Sequence, residues 1–303
     1  MNLGKIFFLV VLVALFLTGV YVIISLYDQE TAYKDFFFSF QDENISNIQF
    51  YPNMRYSDRT ISYNIDNSCS IKKQKDVKES FNTIADNTIL SFNEFPDSAE
   101  INILCSNIAP KPEEETHFIA GEGGPSDIIN ASTYSVILTG KVSLFREEKC
   151  DTPKIAIHEI LHALGFDHTN DPNSIMYSVT SCDQEVDQFI YDKIDSLYSQ
   201  DSAPDLVIES TSAEQFGRFL TFEITVSNLG LKKSEGAKLV VYHDSDSVKE
   251  FDLNTMGIGV KKVISVENLR LPFGSGRVSF VVETEEDEIS KNNNAVELIS
   301  DQE

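Results

Sequence analysis

Three of the five histidines in this 303-residue chain fall inside one window, His158-Glu159-Ile160-Leu161-His162-Ala163-Leu164-Gly165-Phe166-Asp167-His168. Two histidines four apart on a helix project from one face, about one turn above each other. Imidazole is a preferred zinc ligand, and three protein ligands with an open fourth position is the arrangement of a catalytic zinc. Glu159 cannot ligate the same ion from its own helical angle; it lies beside the open position, where a general base is needed. Gly165 permits a left-handed turn that ends the helix and swings the chain back. His168 can then complete the ligand set. One catalytic Zn2+ is expected, held by His158, His162 and His168. Histidines scattered on a helix for packing or solubility would reproduce the full pattern, glycine and third histidine included, only about once in 10⁵ such chains.

The flanks agree with a helix built around a metal. Thr152 is placed to cap it and Pro153 suits its first position. Ile155, Ile157, Ile160, Leu161 and Leu164 make it apolar on most sides, so inward histidines need a partner such as a metal. A polar Thr169–Ser174 loop follows, then Ile175-Met176-Tyr177, in a chain with only 4 methionines.

HEILHALGFDH followed by SIMYS resembles the metzincin metalloproteases, and within them the matrixin-type peptidases, over roughly Tyr56 to Ser199. The resemblance implies zinc on His158, His162 and His168, Glu159 as general base and acid, and Met176 as the apolar floor under the metal. It implies that Tyr177 helps to shape the pocket for the residue after the scissile bond. Ser178–Ser181 lacks the proline usual in the family after Met-Tyr, so the depth of that pocket is not implied. The implied fold is α+β: a twisted mixed sheet with two long helices and a small lower subdomain. No cysteine-switch sequence is visible, and no motif supports a structural Ca2+.

The net charge of −24 argues against nucleic-acid binding, because a phosphate backbone would be repelled. Ile6–Tyr27 is 22 residues without a charge. At 1.5 Å per residue it spans about 33 Å, enough for a hydrocarbon core. A cleavable secretory leader is the competing reading, but Ile23-Ile24-Ser25-Leu26-Tyr27 offers no small-residue cleavage site. Lys5 precedes the segment and Asp28 and Glu30 follow it, which places the N-terminus in the cytoplasm and the remainder outside a single-pass cell membrane. Four cysteines allow three pairings. Cys150–Cys182 is preferred because the two flank the zinc segment, and Cys69–Cys105 because each ends an apparent strand. An oxidising exterior suits both pairs.

The expected organisation is an anchor at 1–27, a juxtamembrane stalk at 28–55, a zinc peptidase domain at 56–200, a linker at 201–204 and a β-sandwich at 205–303. Within the peptidase, Thr60–Ile65 alternates as a strand, Lys73–Asn87 has helical spacing, and Leu90–Phe95, Glu100–Cys105, Ile128–Ser132 and Tyr134–Phe145 read as strands. The resemblance implies an edge strand that pairs with extended substrate, at Tyr134–Leu138 or its neighbour. Gly121-Glu122-Gly123-Gly124-Pro125 lacks the lysine and following helix of a phosphate loop and reads as a turn near the cleft. His117 and His243 read as ordinary histidines rather than ligands. Asp183–Ser199 reads as an amphipathic helix.

After Pro204 the period changes to about seven short strands: 205–210, 220–226, 237–243, 249–253, 261–266, 277–283 and 295–299. That pattern suggests an immunoglobulin-like sandwich. Pro204-Asp205-Leu206-Val207, Val226-Ser227-Asn228-Leu229-Gly230 and Asn292-Asn293-Asn294 resemble the CARDB domain. Together these features describe a membrane-anchored extracellular zinc endopeptidase acting on protein or peptide substrates, with a sandwich open to a surface or cell-wall partner. The alternative is a surface adhesion or scaffold protein with an inactive zinc domain. The intact Glu159 argues against it, since a retired site has no need of that residue.

Overall fold

The computed structural model describes residues 48–96, 98–111, 119–273 and 276–298. The expected anchor Ile6–Tyr27, most of the stalk and His117 lie outside the described residues. Among the described residues no helix is long and apolar enough to cross a membrane.

The first half is built on one mixed sheet. Strands β2 (Thr60–Ile65), β3 (Ser91–Glu94), β4 (Ile101–Cys105) and β6 (Ser135–Leu144) run parallel in the order β3-β2-β4-β6, and β5 (Gly121–Asn130) pairs antiparallel with the far side of β6. Helix α1 (Ile71–Asn87) crosses one face. Ser70 caps it by accepting from the Lys73 N–H, and Val77, Phe81 and Ile84 form its buried stripe. Phe81 lies 4.2 Å from the Tyr63 ring and 4.7 Å from the Phe92 ring, which fixes the helix to β2 and β3. Helix α2 (Lys154–Ala163) carries the zinc motif.

Two expectations about the sheet need correction. The glycine-rich run is not a turn: Gly121–Pro125 is the first half of β5. That strand is the free edge of the sheet, whereas Ser135–Leu138 lies inside β6, between β5 and a further short strand. The edge is therefore the neighbour of Tyr134–Leu138. The second correction concerns the stalk. Its last residues, Met54 and Arg55, join Tyr56 in strand β1, which is parallel to β6 and fully buried.

Arg55 explains why a charged residue belongs there. Its guanidinium donates to the carbonyls of Tyr56 (2.9 Å), Ser57 (2.8 Å), Leu197 (2.5 Å) and Gln200 (3.0 Å), and lies 4.3 Å above the Tyr198 ring. Arg59 donates to the carbonyls of Tyr198 (2.6 Å) and Ser199 (3.0 Å). The last carbonyls of helix α3 (Gln188–Ser199), which a helix leaves without partners, are thus satisfied by two arginines. Helix α3 starts five residues later than its apolar spacing suggests, because residues 183–187 are used in a loop.

All seven expected strands of the second half are present, as β7 (Leu206–Phe216), β8 (Phe219–Asn228), β9 (Ala237–His243), β10 (Asp246–Asp252), β11 (Lys261–Arg270), β12 (Val278–Thr284) and β13 (Ala295–Glu297). They form two antiparallel sheets, β11-β8-β7 and β10-β9-β12-β13. Alternate residues from both, among them Leu220, Phe222, Ile224, Leu239, Val241, Phe280 and Val282, fill the core. The sandwich rests on the β5–β6 hairpin through Leu231, Ile258 and Ile289 against Ala131, Tyr134, Val136 and Leu138.

Candidate metal centre

Helix α2 begins at Lys154, with Pro153 in the capping position and no side-chain cap of its own. Thr152, the expected cap, is not used. The Glu148 carboxylate does the work instead, accepting from the N–H groups of Lys149 (2.8 Å), Cys150 (3.0 Å) and Ile155 (2.9 Å). A carboxylate at this end also suits the helix dipole. The helix ends at Ala163, and the φ of +97° at Gly165 turns the chain so that the next N–H, that of Phe166, reaches back to the Leu161 carbonyl (3.1 Å).

That reversal brings the three histidines together. The Nε2 atoms lie 3.0 Å (His158–His162), 3.1 Å (His162–His168) and 3.3 Å (His158–His168) apart. The Nδ1 of His158 is 2.6 Å from the Ile175 carbonyl and that of His162 is 2.7 Å from the Phe166 carbonyl. A carbonyl only accepts, so in both rings Nδ1 carries the proton and Nε2 presents a lone pair. Two such lone pairs, on His158 and His162 with 3.0 Å between the nitrogens, repel unless a cation lies beside them. Tetrahedral ligands at zinc–nitrogen distances of about 2.0–2.1 Å are themselves about 3.3 Å apart, so the observed triangle fits zinc. Burial first, and then neighbouring charge, pushes the pKa values of His158 and His162 down to about 4. Both are thus neutral near pH 7, the form that binds metal. Among the described residues, His158, His162 and His168 are the single cluster of this kind.

The lower loop is held from behind. Met176 is fully buried, and its carbonyl accepts from the Thr169 N–H (2.9 Å), next to His168. The Ser174 hydroxyl accepts from the Met176 N–H (3.1 Å) and donates to Asp187. Buried Gln184 donates to the carbonyls of Pro172 and Val179, 3.0 Å each. Tyr177 is half-buried and bridges to Thr169. Cys150 is bonded to Cys182 across this unit, and Cys69 to Cys105 at the ends of β4 and the loop before α1, the pairs expected from their positions.

Glu159 is 7% exposed and lies under β5. A Cβ on Gly121 would fall 2.6–2.9 Å from its side chain, and one on Gly123 would fall 2.1 Å from its carbonyl oxygen. Only glycine lets the edge strand come this close. Burial, with Glu122 as a smaller contribution, pushes the Glu159 carboxyl up to about 8. A dication at the histidines acts in the opposite sense, favouring the carboxylate. Sequence reasoning missed two more members. Phe50, assigned to the stalk, stacks on His162 with ring centroids 5.7 Å apart, and its N–H donates to the Gly165 carbonyl (3.1 Å). Glu148 had no local signal beyond its acidity.

With the fold and the centre in place, comparison with known proteins defines the class. Residues 55–199 match the matrixin peptidase family and residues 203–298 match the CARDB family. The chain therefore carries a matrixin-type metallopeptidase domain followed by a CARDB domain. Among solved structures, a crystal structure of the CARDB domain of the PF1109 protein from Pyrococcus furiosus, in complex with di-metal ions, is 22% identical. It covers 31% of this chain and 84% of that one, with a TM-score of 0.27. A solution structure of the same domain is 23% identical, with coverages of 31% and 91% and a TM-score of 0.28. No match is found among curated proteins.

Proposed function

We propose that this protein is a membrane-tethered zinc endopeptidase that hydrolyses internal peptide bonds outside the cell. The observation that carries the reading is the triangle of Nε2 atoms, 3.0–3.3 Å on a side, with Glu159 between two of its members on the helix. Zinc held there supplies Lewis acidity toward the scissile carbonyl and an attacking water. Glu159 would accept a proton from the attacking water and pass it to the leaving amine, so no covalent intermediate on the protein would be needed. The free edge of β5 offers main-chain N–H and C=O groups to an extended substrate, and Tyr177 borders the pocket beyond the scissile bond. Two disulfides fit an oxidising exterior, and the uncharged Ile6–Tyr27 segment supports a single-pass anchor with the N-terminus in the cytoplasm.

Glu159→Gln separates the chemistry from the metal. The variant is expected to hold one zinc per chain by mass spectrometry and to lose nearly all chelator-sensitive cleavage of casein, by a factor of ~10³ or more. Activity within tenfold of the wild type removes Glu159 as the base. A scaffold with an inactive zinc domain makes a different prediction, no chelator-sensitive cleavage by the wild type at all. His162→Ala is expected to lose the metal, and full zinc occupancy in that variant removes it from the ligand set.

A further inference from the structure

The end of the sandwich farthest from the peptidase carries aromatic side chains that the fold does not bury. The β7–β8 hairpin turns through Gly217–Arg218, and Phe216 and Phe219 pair across it, 89% and 48% exposed. Arg270 on β11 pairs with Phe219. Directly paired residues share a face, so Phe216, Phe219 and Arg270 form one row across three strands. Beside the row stands Phe273, 84% exposed. It is held in place: the Arg218 guanidinium lies 3.5 Å from its ring centroid and donates through two nitrogens to the Leu271 carbonyl, at 2.6 and 3.0 Å. Leu271 N–H returns a bond to the Arg218 carbonyl (2.8 Å). Two loops are thus locked together with their phenylalanines outward.

The charge is equally distinctive. Three of the chain's six arginines, Arg218, Arg270 and Arg277, stand at this end of a protein with net charge −24. Arg277 pairs with Glu297 at 3.3 Å, and Asp244 and Asp246 are the acidic groups of the adjacent β9–β10 turn. Aromatic rings at hairpin tips, flanked by guanidinium groups, match the boundary of a bilayer. There the rings enter the acyl region and the cations meet phosphate. Stacked exposed aromatics and arginines are otherwise a poor solution for a soluble surface.

We propose that the Phe216–Phe219–Phe273 pole docks on an anionic lipid bilayer, giving the sandwich a membrane contact of its own, separate from the N-terminal segment. The chain contains no tryptophan, so a single introduced indole reports one position. The full chain carrying Phe216→Trp is mixed with vesicles of phosphatidylcholine and phosphatidylglycerol (three to one), with and without brominated acyl chains. Phe95→Trp, at a 54% exposed site in the peptidase half, serves as the reference. The indole at 216 is expected to shift blue by about 10 nm and lose roughly half its emission to bromine, while the indole at 95 does neither. Arg270→Gln with Arg277→Gln is expected to weaken that quenching. An unquenched indole at 216 overturns the proposal. So does equal quenching at both positions, or a blue shift that appears without vesicles as protein concentration rises, which would make the pole a contact between copies. Equal quenching on pure phosphatidylcholine overturns the anionic preference.

Discussion

The contact between β5 and α2 yields a prediction with a built-in control. A Cβ on Gly123 falls 2.1 Å from the Glu159 carbonyl oxygen and 2.8 Å from its Cα and carbonyl carbon. All three are main-chain atoms and cannot rotate away. Ordinary contact begins near 3.4 Å, so Gly123→Ala forces strand and helix apart by about 1.3 Å. That displacement falls on the residue between His158 and His162, where a misplacement of ~1 Å costs on the order of 10²-fold in rate. Overpacking of this kind also costs ~1–3 kcal/mol of stability. Gly124, the next residue on the same strand, has nothing within 4 Å of its virtual Cβ. Gly124→Ala is therefore expected to stay within about twofold of wild type in rate and ~0.5 kcal/mol in stability. The assays are kcat/KM on a fluorogenic peptide with a chelator control, zinc content, and thermal unfolding; the last needs no substrate. Equal melting temperatures and equal rates for the two variants would refute the claim that glycine sets the strand–helix distance.

Replacing Cys150 and Cys182 together by serine is expected to cost about 4 kcal/mol, from a closed loop with sequence separation 32, and to weaken zinc retention in a chelator competition. Arg55→Met leaves four buried or half-buried carbonyls without their donor; it is expected to cost about 3 kcal/mol or more, read as a lower denaturant midpoint. Gly259→Val places a branched side chain at φ +71° and 2.8 Å from the Ile129 side chain. It is expected to loosen the sandwich from the β5–β6 hairpin, seen as faster proteolysis near residues 201–204 with the zinc content unchanged.

What the sequence disclosed was local. The i, i+4 histidines, the glycine after them and the buried methionine depend on a few consecutive residues, and the sandwich strands announce themselves by period-two alternation. What it concealed depends on distant partners. Met54–Tyr56 is a three-residue strand with an arginine at its centre, which no periodicity marks as core; its burial makes sense only once the carbonyls of Leu197 and Gln200 are beside it. Gly121–Pro125 reads as a turn by composition, yet it is a strand in which Gly123 has helix backbone, and Gly121 the Glu159 side chain, where a Cβ would be. Helix α3 starts only at Gln188, although the apolar spacing runs upstream through Val186. There the chain is extended instead, with Ser174 bridging to Glu185 and Ile175 N–H donating to the Glu185 carbonyl.

The orientation of the candidate metal ligands follows from the same loop. Neither helical histidine is steered by a carboxylate: His158 is set by the Ile175 carbonyl and His162 by the Phe166 carbonyl, both main-chain atoms of the segment that leaves the helix. The imidazoles of α2 therefore acquire their tautomer only when that segment has folded back. Its fold depends on the positive φ of Gly165, on Ser174 and Gln184, and on the Cys150–Cys182 bond. Ligand geometry and closure of the lower loop are in consequence one event. A metal bound among the three Nε2 atoms would stabilise the whole of 165–187 rather than the helix alone, because the ion would bind the arranged triangle and not the unfolded chain.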